Sequence, residues 1–212
     1  GSATPLRQLT RTLYEEADPK LSPDCSTIGF RKDYDLYGLD IESGALHAIT
    51  AGGTPEKMNG RLDWVYPEEL QIPTAYWWSP DSKRLAYLQF DMATVPSYPQ
   101  ADNLATPPRP EPERYPKAGE PNPGVRLVIV GRSGGKPRFA DLGDPREHLI
   151  ARVNWLPDGK HLAVQRLNRI QNELTIFFVN AETLETEQIL TEKDEYWVNL
   201  SDDFTFLPSL NA

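Results

Sequence analysis

Two adjacent carboxylates, Glu68 and Glu69, are the residues of this sequence best suited to chemistry. They lie in the run DWVYPEEL, in which Asp63 can cap a short helix and Pro67 suits the first turn of that helix. Carboxylates held side by side on such a turn can accept the N–H donors of a primary ammonium group, as lysine or a free peptide N-terminus presents. Because a bound cation relieves the repulsion between the two charges, the pair predicts a cation-selective binding site.

The same residues are also compatible with an ordinary solvated surface. Adjacent acids recur at Glu15–Glu16 and Asp202–Asp203, and exposed charges usually contribute little to structure or function. The aromatic residues near the pair have two readings as well, because they can stack on a ligand or belong to the core. These residues are Trp64, Tyr66, Tyr76, Trp77 and Trp78. The pair alone therefore does not carry a function.

A repeated turn indicates which elements position these side chains. Pro-Asp turns stand at Ser22–Asp24, Ser79–Asp81 and Leu156–Asp158, with a weaker fourth at Leu207–Ser209. Each of the first three precedes a short stretch of alternating apolar residues, which is typical of a half-buried strand. Once two insertions are set aside, the turns recur at roughly 40–45 residues, the length of a four-stranded propeller blade.

The sequence therefore predicts an all-β chain: a partial β-propeller of about three four-stranded antiparallel blades with truncated blade ends. We expect a closing strand at Leu6–Thr10 and the opening of a further blade at Phe204–Pro208, so the chain reads as part of a larger protein. The expected units are a cloning remnant and the closing strand of a preceding blade (1–20), a blade (21–50), an insertion with the double-glutamate motif (51–76), a blade with a proline-rich arm at 91–124 (77–143), a blade (144–192) and the start of a truncated further blade (193–212).

Charge and composition exclude several functional classes. The formal net charge is −9, the wrong sign for nucleic acid or an anionic membrane surface, so we expect neither partner. Cys25 is the single cysteine and the three histidines are scattered, which favours no metal and no cofactor. The run Gly131–Gly135 fits the G-x-S-x-G pattern of a serine nucleophile, but Pro137 follows where that motif needs a helix, so a hairpin turn is favoured.

Several runs, in the same order along the chain, resemble the N-terminal β-propeller of the dipeptidyl peptidase IV family, serine peptidases of the prolyl oligopeptidase type. They are DWVYPEEL, AYWWSPDSKRLAYLQFD, VPSYP, RYPKAGEPNPGVRL and ARVNWLPDGKHLAVQRLNRIQN, and the resemblance covers roughly residues 20–207. It implies that Glu68 and Glu69 bind the free α-amine of a peptide substrate. It further implies that a C-terminal α/β-hydrolase domain of the same protein removes N-terminal dipeptides with Pro or Ala at the second position.

Further expectations follow from the resemblance. The catalytic residues would lie outside this chain, which alone would be inactive, and the protein would be periplasmic, secreted or attached to the cell envelope. The arm at 91–124 would contribute to a homodimer, although its composition is equally compatible with a disordered excursion. Pro67 stands where relatives commonly have Glu or Gln, which we expect to stiffen the turn. The alternative function is a non-enzymatic, periplasmic protein-binding propeller module.

Overall fold

The computed structural model describes residues 6–207, and its first sheet forms around the first Pro-Asp turn. Its strands are β1 (Glu16–Leu21), β2 (Thr27–Lys32), β3 (Asp35–Asp40) and β4 (Leu46–Ala48). They pair in chain order, all antiparallel. The alternation along β3 turns Leu36 and Leu39 into the core. This is the four-stranded meander that a propeller blade requires.

The three predicted turns have the same backbone geometry, which explains the repeat. In the first two, a serine hydroxyl donates to the aspartate two residues later, at 2.6 Å for both Ser22 and Ser79. The residue after the aspartate takes a left-handed conformation in each turn: Cys25 (φ 58°), Ser82 (φ 59°) and Gly159 (φ 65°). A Ser/Leu-Pro-Asp run followed by a residue with positive φ therefore opens the second strand of every blade.

The first insertion contributes a strand to the second sheet. It contains β5 (Lys57–Asn59) and the helix α1 (Val65–Glu69), and is followed by β6 (Tyr76–Trp78) and β7 (Arg84–Asp91). One edge of β7 pairs with β6 near its start and with β5 near its end. The insertion thus leaves the sheet as a loop after β5 and returns to it at β6, with α1 between.

The proline-rich arm is a β-ribbon in place of the disordered excursion that its composition also allows. Its strands are β8 (Ser97–Tyr98), β9 (Ala101–Asp102), β10 (Arg109–Pro110) and β11 (Glu113–Arg114). β8 pairs with β11 and β9 with β10, so the chain runs outward and returns along itself. Part of the backbone of a segment with few aliphatic residues is thus hydrogen-bonded within the arm itself.

After the arm, β12 (Gly124–Gly131) and β13 (Gly134–Phe139) complete the second sheet. The predicted hairpin is present between them: Gly131 pairs with Gly134, and no helix follows Ser133. β13 closes this sheet and ends at Phe139.

The third sheet is a regular blade. Its strands are β14 (His148–Trp155), β15 (His161–Asn168), β16 (Glu173–Asn180) and β17 (Thr186–Lys193), paired antiparallel in chain order. The buried side chains form two clusters, one between the first and second sheets and a larger one shared by α1 and the second and third sheets. The all-β propeller prediction is confirmed. Among residues 6–207, no helix is long and apolar enough to cross a membrane.

The predictions for the two ends were wrong where the structure describes them. Leu6–Thr10 is not a strand, and the first sheet begins at Glu16 rather than at residue 21. Residues 201–207 are not a strand either. The apolar alternation at both places is real, but a strand also needs a neighbour for its backbone N–H and C=O groups, and none of the described residues supplies one. The remnant Gly1–Ala3 and most of the fourth turn, Leu207–Ser209, lie outside the described residues.

Candidate functional site

The double-glutamate motif lies on the short helix that the sequence predicts. Asp63 Oδ1 accepts a hydrogen bond from the Tyr66 N–H at 3.1 Å, and this caps the helix from the residue preceding its N-cap position, Trp64. Pro67 lies within the first turn, where its missing N–H needs no partner. Asp63 and Pro67 therefore act locally as their residue types suggest.

Tyr66 fixes this helix to the blades. Its side chain is fully buried, and its ring packs edge-on against Phe90 with the centroids 4.8 Å apart. The hydroxyl accepts a hydrogen bond from the Ile150 N–H of the third sheet at 3.0 Å. Since a five-residue helix is far too short to be stable alone, this buried contact determines where the helix lies.

Glu68 and Glu69 point away from that anchored face and are both exposed. Within residues 6–207, neither carboxylate takes part in an ion pair, and the last turn of the helix carries no basic residue. Glu69 is the last residue of this five-residue helix, where the negative end of the helix dipole disfavours a carboxylate, whereas Glu68 belongs to its first turn. The arrangement is therefore complementary to a cation from outside the described chain.

Glu68 borders a cleft of about 650 Å³ between the helix and the root of the arm. Two arginines also line this cleft, but both are engaged with other groups. The guanidinium of Arg61 lies over the ring of Tyr34, 5.0 Å from its centroid. Arg114 donates to the Val95 carbonyl and to Glu56, both at 2.9 Å. The cations closest to the pair in this cleft thus already have partners.

The aromatic residues beside the motif divide between the two readings offered by the sequence. Tyr66 and Tyr76 are fully buried and Trp78 nearly so, which makes them core residues. Trp64 is the exception, with 40% of its surface exposed, and it packs edge-on against Tyr115 of the arm at 4.6 Å between centroids. Trp77 is partly buried and packs against the core, so among the described residues no wall of exposed rings stands beside Glu68 and Glu69.

Asp63 has an unusual electrostatic environment. The residue is only 7% exposed, and its Oδ2 atom has no hydrogen-bond partner among the described residues. Burial raises the pKa of the Asp63 carboxyl to about 6, against the backbone N–H groups of α1 that favour its charged form. The cap of the helix is thus an acid whose protonation changes close to neutral pH.

Comparisons with known proteins show which family the chain resembles. A family model described as the dipeptidyl peptidase IV (DPP IV) N-terminal region matches residues 3–211. The chain belongs to this family. A probable dipeptidyl-aminopeptidase B of Pyrenophora teres f. teres is 31% identical over 210 residues, which cover 89% of this chain and 23% of the relative. A probable dipeptidyl peptidase 4 of Emericella nidulans is 37% identical over 183 residues, covering 82% of this chain and 23% of the relative.

Solved structures of dipeptidyl peptidases have the same fold. The dipeptidyl peptidase 4 of Porphyromonas gingivalis matches with a TM-score of 0.82 at 27% identity, over 89% of this chain and 27% of that one. A putative dipeptidyl aminopeptidase IV of Bacteroides ovatus matches with a TM-score of 0.75 at 26% identity, over 86% of this chain and 25% of that one. The family resemblance stated from the motifs is confirmed. The chain spans about a quarter of the length of these relatives.

Sequence reasoning missed the residues through which this DPP IV-type region holds the motif. The Leu70 carbonyl, just after the helix, accepts a hydrogen bond from Arg152 of β14 at 2.9 Å. At the other end, Asp35 of β3 accepts from Asn59 at 2.8 Å and from the Gly53 N–H at 2.8 Å. These contacts join residues up to 82 positions apart, so no local pattern indicates them; Arg152 carries only the weak signal of a charged residue within an apolar strand.

Proposed function

We propose that the chain is the substrate-selecting propeller region of a serine exopeptidase of the DPP IV family, and that Glu68 and Glu69 bind the protonated α-amine of a peptide. The observation that carries this proposal is the pair of exposed carboxylates, which have no cationic partner among residues 6–207, on a helix anchored by the core. Family membership supports it, because the relatives are named dipeptidyl peptidases. Those names also favour a peptidase over a non-enzymatic propeller module.

The mechanism assigned to this region is placement of the substrate. An ammonium group held by two carboxylates fixes the first residue of the peptide, so a nucleophilic serine at a set distance reaches only one peptide bond. The serine, histidine and acid would come from an α/β-hydrolase domain of the same protein, and cleavage would release a dipeptide, with Pro or Ala preferred at the second position. Orienting the scissile bond in this way lowers the activation barrier by restricting motion before the reaction.

The electrostatic contribution is large enough to decide substrate choice. Removing one partner from a desolvated charge pair costs about 3–5 kcal/mol, whereas an exposed ion pair contributes about 0–1 kcal/mol. The two carboxylates reach the larger value only when the substrate and the hydrolase domain exclude water from them. Selectivity for a free amine is therefore expected in the assembled enzyme.

The test measures kcat/KM of Glu68→Gln and Glu69→Gln in the full-length protein. Each amide keeps the size of the side chain and removes its charge, so we expect a loss of at least about 100-fold for a substrate with a free N-terminus. N-acetylated peptides should be poor substrates of the unchanged protein, and Glu15→Gln is the matched control at another exposed acid pair. Equal turnover of capped and free peptides would refute the amine site.

We also propose that the arm takes part in a homodimer and that the protein acts in the periplasm, in the cell envelope or outside the cell. The paired ribbon supports the first proposal, because an ordered projection can present a defined surface. Sedimentation of the full-length protein with and without residues 99–115 tests it. An unchanged dimer after the deletion would remove the arm from the interface.

A further inference from the structure

The root of the arm has its own rigid construction. The Tyr98 hydroxyl donates to both carboxylate oxygens of Glu120, at 2.7 and 2.8 Å, and the Lys117 ammonium lies 3.9 Å from the centroid of the Tyr98 ring. The Tyr115 N–H donates to the Pro96 carbonyl at 3.0 Å. Tyr98 and Tyr115 are in turn aromatic neighbours, with centroids 6.5 Å apart. The root is thus a set of linked contacts, distinct from the exposed tip.

The Trp64–Tyr115 pair joins this root to the double-glutamate helix. The two rings meet edge to face, at an interplanar angle of 87°, which is the preferred geometry for aromatic pairs. Trp64 precedes Glu68 by four positions, and residues at this spacing lie on the same face of a helix. Both side chains accordingly line the cleft beside the arm, whereas Glu69 does not.

The helix is therefore held at three points that belong to different parts of the fold. Tyr66 ties its middle to the third sheet, Arg152 ties its C-terminal end, and Trp64 leans on the arm. The first two contacts act on the buried face and on the backbone. The Trp64–Tyr115 contact acts on the face that carries Glu68.

We propose that Trp64 and Tyr115 are positioning residues, through which the root of the arm sets the place of Glu68 for the substrate amine. This inference rests on the proposed function of the acidic pair. Without the Tyr115 ring, the N-terminal end of the helix loses its lateral support and Glu68 moves relative to Glu69. The arm then serves the binding site directly, whatever its part in assembly.

The test compares kinetic constants of full-length variants on a free-amine dipeptide substrate. Tyr115→Ala should raise KM by about tenfold, the upper end of what an aromatic pair contributes. The change in kcat should be smaller, because Glu69 remains in place to orient the scissile bond of a substrate that has bound. Tyr115→Phe keeps the ring and should restore the parent KM. Ile170→Ala, at a side chain 73% exposed outside the arm, is the control.

A double-mutant cycle separates this role from a general loss of structure. If the effect passes through the contact, Tyr115→Ala should add little to KM in a Trp64→Ala background. Additive effects, or an unchanged KM in Tyr115→Ala, would overturn the proposal. The cycle also remains informative if one alanine variant is unstable, because Trp64→Leu and Tyr115→Leu remove the rings but keep apolar side chains of intermediate size.

The same measurements distinguish failure of this inference from failure of the proposed function. If Glu68→Gln and Glu69→Gln abolish the preference for free amines while the aromatic variants leave it intact, only the positioning role is wrong. If the glutamine variants also keep the preference, the amine site is wrong, and the positioning role is wrong with it.

Discussion

The acidic pairs at Glu68–Glu69 and Glu15–Glu16 look alike in sequence but differ in their surroundings. In the second pair, the carboxylate of Glu16 accepts hydrogen bonds from Thr10 at 2.5 Å and from Thr12 at 3.0 Å. Both donors are hydroxyls in the irregular segment before β1, and Glu16 is the first residue of that strand, so this acid is engaged by neighbouring side chains. The pair on α1 has no such role, although the helix that carries it is held by the core.

The third acidic pair, Asp202–Asp203, supports the same conclusion. Asp202 accepts a hydrogen bond from the Arg152 Nε atom, so at least one of its two acids has a cationic partner within the described chain. Adjacency of two acids is therefore not what marks a binding site. What distinguishes α1 is that the core anchors the helix while its two carboxylates have no cationic partner among the described residues.

The largest predicted effect on stability comes from removing the Tyr66 side chain, which holds α1 against the core. Tyr66→Ala should lower the free energy of unfolding by about 3–5 kcal/mol, because it leaves a cavity the size of an aromatic ring and an unpaired Ile150 N–H. Tyr66→Phe, which loses only the hydrogen bond, should cost about 1–2 kcal/mol. Urea denaturation measures both. Tyr196→Ala, at a side chain 79% exposed, is the control, and an equal loss there would show that the helix is not anchored as described.

A second prediction concerns how the free energy of unfolding depends on pH through Asp63, the residue that caps α1. Because the folded pKa of Asp63 is raised to about 6, the folded state binds its proton more tightly than the unfolded state does. The stabilisation is fully present below the unfolded pKa, near 4, and is lost as the pH rises through about 6. The loss is about 3 kcal/mol, from a shift of about two units. Asp63→Asn, whose carbonyl still accepts from Tyr66, should be more stable than the parent at pH 8 and equal at pH 4.

The stability profile of the parent must be compared with that of Asp63→Asn, because His148 also makes the stability depend on pH. Burial lowers the pKa of His148 to about 4, so its contribution to stability is lost as the pH falls from 6.5 towards 4, opposite in direction to that of Asp63. The parent's profile combines both residues, but subtracting the profile of Asp63→Asn isolates the acid. A constant difference between the two proteins from pH 4 to 8 would contradict a buried, protonated Asp63.

The parts of this fold that follow from sequence are those set by local chemistry. The three Pro-Asp turns predicted the three sheets, because serine, proline and aspartate favour one turn geometry wherever they occur together. Asp63 and Pro67 predicted the helix for the same reason. The acidic pair itself could be found from residue type. The binding role assigned to it stays a prediction, since charge alone does not distinguish it from the pair at Glu15–Glu16.

The contacts that hold the helix carrying the acidic pair could not be predicted from the sequence. Tyr66 reaches Ile150 and Arg152 reaches Leu70 across more than 80 positions, and their partners are backbone groups, which leave no trace in residue type. The pairing of β5 with β7 depends likewise on how the insertion returns to its sheet. The expected strand at Leu6–Thr10 shows the opposite case. Its local pattern suits a strand, but a strand also needs a neighbouring strand to pair with, and none of the described residues supplies one.

The smallest predicted effect sharpens the contrast with Asp202–Asp203. The side chain of Asp202 is 78% exposed, so its ion pair with Arg152 is screened by solvent, and Asp202→Asn should change the free energy of unfolding by less than about 0.5 kcal/mol. Arg152 itself is 14% exposed and donates to the Leu70 and Ala151 carbonyls. Arg152→Ala should therefore cost about 1–2 kcal/mol. Thermal unfolding of the two variants compares them directly, and equal losses would mean that the exposed aspartate, not the carbonyl of the helix, is what Arg152 is placed to bind.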